Sequence, residues 1–223
     1  MGPVIGEVLS SALGIAVSPI PIIAAILMLM TPKAKTTAVG FLLGWLGGIS
    51  VTATAFTLLS SLLPDTEEDG SQPIRGVIHL VLGVVLFRMA AKQWRNRPKE
   101  GEEPPLPKWM HAIDGIESPK AFGMGLLLSA ANPKNLVMAA SAGLIIGSAS
   151  LGFGTGTGVI ILFTVLAGST VLVPVAGFLM APNRFHSRLS RLQIWLVREN
   201  STTMSVLLLV LAVTSIGEGI GNF

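Results

Sequence analysis

Cysteine is absent from the 223 residues, which excludes disulfide staples, thiolate nucleophiles and thiol metal ligands. Charge is nearly as scarce: Asp, Glu, Lys and Arg together make up 12% of the chain, about half of what a soluble domain carries. Acidic residues are missing from the centres of the apolar stretches, because Glu7 and Glu218 fall near their outer ends. These stretches also lack paired carboxylates, a Ser-His or Ser-Lys pair at a recognisable spacing, and any His-rich metal motif. An enzyme is therefore the weakest reading, a metal transporter a poor one, and no cofactor is expected. Gly152-Phe-Gly154-Thr-Gly156-Thr-Gly158 has the glycine density of a phosphate loop. It lacks both the Gly-Lys-Ser/Thr ending and the preceding strand, so it reads as a turn entering an apolar span.

Apolar residues fill the space that charge leaves, at 51% of the chain with a mean hydropathy of +0.71. Hydrocarbon offers no hydrogen-bond partners to a backbone, so the expectation is an all-α, polytopic membrane protein. The net charge of +3 comes from loops between apolar spans and not from a basic face, which argues against nucleic acid as a partner. No basic n-region precedes the first apolar segment, which is expected to stay in the mature chain.

Six apolar segments follow one another. The first, about 4–30, is interrupted by Ser18-Pro19-Ile20-Pro21, a candidate broken helix. The second, about 36–63, carries Gly40, Gly44 and Gly48 at the four-residue spacing that lets membrane helices approach closely. An acidic turn over 64–70 leads to the third, about 74–91, in which His79 shares a face with Gly76 and Gly83. Packing is the favoured role for this histidine, with contact to a polar ligand kept as the alternative. Proline and alternating charge make 92–118 a flexible linker.

The fourth segment, about 119–147, holds Asn132-Pro133-Lys134-Asn135 near its middle. Proline removes a donor and disfavours helical geometry at Asn132, so two half-helices should meet there. A lysine at that depth is costly unless paired, hydrated or functional. The fifth span, about 159–180, contains Pro174 as a kink and Thr164, Ser169 and Thr170 as polar wall residues. Arg184, Arg188, Arg191 and Arg198 then fall near helical spacing beside Phe185, Leu189, Leu192 and Leu196, the pattern of an amphipathic helix lying on anionic headgroups. The sixth span covers about 203–220.

With six spans, the loops after the first, third and fifth hold all but Arg75 and Lys134 of the 15 basic residues. Positive charge stays in the cytoplasm, which puts both termini outside it, in the cytoplasmic membrane. Three spans per half invert the second half relative to the first, the plan of many secondary transporters. On this reading 1–91 is the first repeat, 92–118 a cytoplasmic linker, and 119–223 the second repeat including the basic segment 184–198. Each repeat opens with a broken helix. The N-termini of the later half-helices would then meet at the bilayer midplane with unpaired N–H groups, and Lys134 would add a full positive charge. An anionic or amphiphilic substrate, bound by Ser18, Pro19, Pro21, Asn132, Pro133, Lys134 and Asn135, would supply the counter-charge.

At these residues the chain resembles the lysine-exporter (LysE) superfamily of small six-span membrane proteins. The corresponding motifs are Ser18-Pro19-Ile20-Pro21, the glycines at 40, 44 and 48, and Asn132-Pro133-Lys134. Within it, Phe41-Leu-Leu-Gly44-Trp45 and Ala131-Asn-Pro-Lys-Asn135 are similar to the actinobacterial GAP or Sap branch, the glycolipid-addressing proteins. The resemblance implies an inverted-repeat bundle and movement of sulfolipids or glycopeptidolipids towards the cell surface. Membrane lipids are the expected partners, with a homodimer and proteins of lipid synthesis or export also open. Three functions stay open on these residues: export of an acidic or glycosylated lipid, export of an amino acid or small metabolite, and a non-transporting accessory role in a lipid-export complex.

Overall fold

The computed structural model describes residues 2–60, 73–97, 113, 115–149 and 151–221. Among them the chain forms eight helices and no strand: α1 (Gly2–Ala16), α2 (Pro19–Leu29), α3 (Ala34–Ser60), α4 (Pro73–Arg95), α5 (Ser118–Ala130), α6 (Pro133–Ser148), α7 (Phe153–Met180) and α8 (Pro182–Gly221). The acidic turn and the central part of the linker lie outside the described residues. So do the side chains of Arg75, His79, Arg184, Phe185, Arg188 and Glu218.

Both expected breaks are present. Ser18 is extended, at φ −77° and ψ 113°, because Pro19 disfavours the helical region for the residue before it. The α1 and α2 axes diverge there by 54°. Asn132, before Pro133, has nearly the same backbone, at φ −73° and ψ 116°. Pro19 and Pro133 each become the first residue of a new helix, where a missing N–H costs nothing.

Three helical stretches are long and apolar enough to cross a membrane: Ala34–Ser60, Phe153–Met180 and Ser201–Gly221. The bent pair α1–α2 makes a fourth. The chain is a membrane protein, with three to four such spans among the described residues where the apolar pattern marks six segments. α5 and α6 fall short singly, at 13 and 16 residues, with Lys120 and Lys134 in their first turns.

The helices group into two compact units. The first contains α1, α2, α3, α5, α6, α7 and α8 as far as Ile194; the second contains α4 and α8 from Trp195. α3 is the axis of the first unit and buries Phe41, Trp45, Ile49 and Ala53. It runs in the same direction as α5 and then α6: Gly40 faces Ser118, Gly44 faces Phe122, Gly48 faces Ser129, and farther on Ala53 and Thr57 face Gly143. A Cβ at Gly40 would stand 2.7 Å from the Ser118 carbonyl, and one at Gly125 would stand 2.8 Å from the Trp45 nitrogen. Backbone thus meets backbone along this seam, which only small residues permit. At its start Ser118 Oγ donates to the Thr36 carbonyl at 3.0 Å.

In the second unit α4 and α8 run antiparallel. Leu80 meets Gly219, Gly83 meets Ala212 and Ile216, and Ser205 Oγ donates to the Ala90 carbonyl at 3.1 Å.

Two local expectations need correction. The glycine-rich stretch is not a turn, for α7 begins at Phe153 and takes Gly154, Gly156 and Gly158 into its first turns. The Gly156 N–H already bonds the Gly152 carbonyl at 2.9 Å, and Thr157 Oγ1 donates to the Phe153 carbonyl at 2.8 Å. Helix is the conformation that satisfies a backbone internally, and that outweighs glycine's preference for turns. The basic segment is likewise not a separate helix. It is continuous with the last span in a single helix of 40 residues, Pro182–Gly221, because no Gly or Pro interrupts 183–216. Leu189 and Leu196 are buried and Arg191 and Arg198 exposed, so the two-faced character remains, although Leu192 is exposed.

Candidate functional site

The broken helices leave backbone groups without intrahelical partners, and where those groups turn for hydrogen bonds defines the site. At the end of α1 the Val17 and Ser18 N–H groups close the last turn onto the carbonyls of Leu13 and Ile15, at 3.1 Å each. The carbonyls between and after them, on Gly14 and Ala16, take side chains from distant parts of the first unit. Lys134 Nζ donates to the Gly14 carbonyl at 2.6 Å, and Thr170 Oγ1 donates to the Ala16 carbonyl at 2.7 Å. A cation at a helix C-terminus is favoured by the partial negative charge there. Gly14 leaves room for Met138, whose Sδ lies 2.9 Å from where a Cβ would stand.

A third bond joins the two breaks directly. Ser18 Oγ donates to Asn135 Oδ1 at 3.3 Å, across 117 positions of sequence, and Asn135 Nδ2 donates to the Leu128 carbonyl at 3.3 Å near the end of α5. Asn135 thereby ties the start of α2 to the end of α5. Its side chain is fully buried, and Ser18 and Lys134 are 1% and 6% exposed. Among the described residues Lys134 has no acidic partner.

Asn132 has a structural part at its own helix. Its side chain accepts the Lys134 N–H at 3.1 Å and so caps α6. Asn-Pro opening an apolar run is the ordinary signature of an N-cap followed by proline at the first helical position, and that signal was available in the sequence.

The cradle of free N–H groups is also smaller than a helix N-terminus ordinarily supplies. In α2 the first and third positions are Pro19 and Pro21, so within that first turn only Ile20 keeps a donor. In α6, Pro133 has none and Lys134 is capped, which leaves Asn135. What positive character the site has thus rests chiefly on Lys134 and the helix dipoles.

α7 supplies the remaining polar groups. Thr170 reaches α1, whereas Ser169 Oγ turns back on its own helix to the Leu166 carbonyl at 2.7 Å. Thr164 Oγ1 and the Trp45 indole nitrogen are buried without a hydrogen-bond partner among the described residues. Sequence reasoning missed the Gly14 and Ala16 carbonyls, because a backbone acceptor has no residue signature. His79 belongs to the second unit, and Arg184 and Arg188 are described in backbone only.

A family model described as Sap, sulfolipid-1-addressing protein, matches residues 8–221. No curated protein matches the chain, and no solved structure does.

Proposed function

The chain belongs to the Sap, sulfolipid-1-addressing protein family, and from that premise we propose that it carries an acidic lipid across or out of the cytoplasmic membrane by alternating access around the paired helix breaks. The observation that carries this reading is Lys134: a buried cation at the start of a half-helix, held by a single backbone carbonyl and facing no carboxylate among the described residues. A sulfolipid headgroup has the fixed negative charge that such a cation lacks. In the resting arrangement Lys134 latches onto Gly14 at the end of α1. An arriving anion competes for the ammonium, releases that carbonyl, and frees the Pro19–Pro21 and Pro133 junctions to act as hinges. Acyl chains would stay in the bilayer while the headgroup passes.

Architecture adds support of a general kind. The shared direction of α3 and the α5–α6 pair, and the antiparallel course of α4 and the final helix, are what six spans in two inverted repeats would give. On that plan the basic loops and the linker are cytoplasmic and both termini lie outside. The family match favours a lipid over the amino acid of a lysine exporter. Transport, and not catalysis, is the proposed role.

A second reading is favoured by the same bonds. Because Ser18, Asn132, Asn135 and Thr170 are each occupied within the protein, the breaks also fit a fixed scaffold, an accessory part of a lipid-export complex.

One titration separates the two. Purified protein in mild detergent is heated with increasing sulfated glycolipid, with a neutral glycolipid, or with lysine, since a ligand that binds the native state raises the transition by mass action. A rise confined to the sulfated lipid and lost in Lys134→Ala supports the carrier. No response to any of them, with export in cells unchanged by Lys134→Ala, favours the scaffold.

A further inference from the structure

The second unit has a composite surface that takes no part in the helix breaks. Along the last two turns of α4, Phe87, Ala91 and Trp94 form one stripe, at i, i+4 and i+7, and Arg88, Lys92 and Arg95 form the stripe beside it. The apolar stripe opens onto a cavity of about 380 Å3 whose far wall is Val206 and Leu209 of α8. The basic stripe lines a second cavity, of about 420 Å3, with Asn96 at its end. Ala91 lines both, so the two adjoin across one small side chain.

Each part has a feature that a packed helix pair does not require. Ser205 Oγ binds the Ala90 carbonyl, which fixes the two helices at the base of the apolar cavity and leaves its mouth to Phe87, Trp94 and Val206, all about half exposed. Arg88, Lys92 and Arg95 are exposed, and no acidic side chain among the described residues pairs with them. Arg97 lies over the Trp94 ring, 4.0 Å from its centroid, while its Nη1 donates to the Trp94 carbonyl at 3.1 Å. Tryptophan is enriched at the boundary between acyl chains and headgroups, and arginine beside it can keep its charge in water.

We infer that this surface is a binding site for an anionic membrane phospholipid, with an acyl chain in the cavity between α4 and α8 and the headgroup phosphate on Arg88, Lys92 and Arg95. Charge complementarity selects the lipid. The basic wall lies within one helical turn of the apolar wall, so an occupant needs a negative group directly joined to a chain. Two or three partly exposed cations acting on one phosphate give selectivity of about tenfold or more over a zwitterionic headgroup, at about 1 kcal/mol for each basic residue. The site is independent of Lys134 and of the proposed transport.

The test uses the whole chain in mixed detergent micelles, with native mass spectrometry counting retained lipid. Phosphatidylglycerol should be retained about tenfold better than phosphatidylcholine. The triple change Arg88→Gln, Lys92→Gln, Arg95→Gln should remove that preference, and Val206→Trp, which fills the apolar cavity from an exposed position, should weaken retention of the lipid while leaving the preference for charge. Lys134→Ala should change neither. Equal retention of the two lipids by the unmodified protein, an undiminished preference in the triple variant, or competition by glycerol phosphate as effective as by the lipid would each overturn the inference. So would loss of the preference in Lys134→Ala, which would move the anion to the helix breaks.

Discussion

The two helix breaks share one device, a polar residue followed by proline, yet they are held in different ways. Asn132 caps its own helix, and the end of α5 is bonded by Asn135 from only seven residues on, so the second break is largely self-sufficient. The first is not. Ser18 makes no cap bond to α2, and the end of α1 depends on Lys134 and Thr170, 120 and 154 positions away. Local sequence therefore suffices to make a break, while the strength with which it is held depends on what the rest of the chain brings to it. The first break is conditional on the second half of the protein, and a partner that takes Lys134 away loosens α1 first.

Lys134→Ala should expose this asymmetry most strongly. An unpaired buried carbonyl costs about 1–3 kcal/mol, and amide exchange should rise at the end of α1 while the end of α5 stays protected. Equal opening of both ends would break the comparison. Next comes a double-mutant cycle on Ser18→Ala and Asn135→Ala, read by thermal unfolding, where a coupling of about 0.5 kcal/mol or more is expected for residues in contact. Ser18→Ala with Asn132→Ala should couple less, because these side chains share no bond. Replacing the cap alone, by Asn132→Ala, should cost about 1 kcal/mol, and Asn132→Ser should recover most of it. Exchange should rise only in the first turn of α6. The smallest effect belongs to Thr170→Ser, which keeps the hydroxyl on the Ala16 carbonyl and loses one methyl, below about 1 kcal/mol. Thr170→Val, lacking the donor, should resemble a weaker Lys134→Ala.

Much of this was legible in the sequence, and for one reason: proline states its consequences locally. Pro19 and Pro133 mark both breaks, and the apolar runs mark most of the helices around them. Pro21 carried a further message, that the start of α2 has few N–H groups to offer an anion, and reading a generic helix terminus there overestimated the cradle. Lys134 stood out as a cation in an apolar run, but its acceptor did not, since the Gly14 carbonyl is one of many identical backbone groups. The glycines at 154, 156 and 158 misled because a rule learned from solvated turns was carried into a stretch where helix satisfies the backbone. For α8 the signal lay in an omission, the lack of any Gly or Pro over 183–216, and the switch from basic to apolar side chains concealed it.

The seam between α3 and α5 has a consequence for how this chain can evolve. Gly44 stands against the backbone of Phe122, and Gly125 against that of Trp45. When a side chain obstructs a new methyl group, a neighbour can shrink and restore the fit. Here the obstacle is main chain, which no substitution makes smaller. A replacement at either position thus has no compensating partner within reach of a single codon change, and the register of the two helices becomes a fixed inheritance while the residues around it drift.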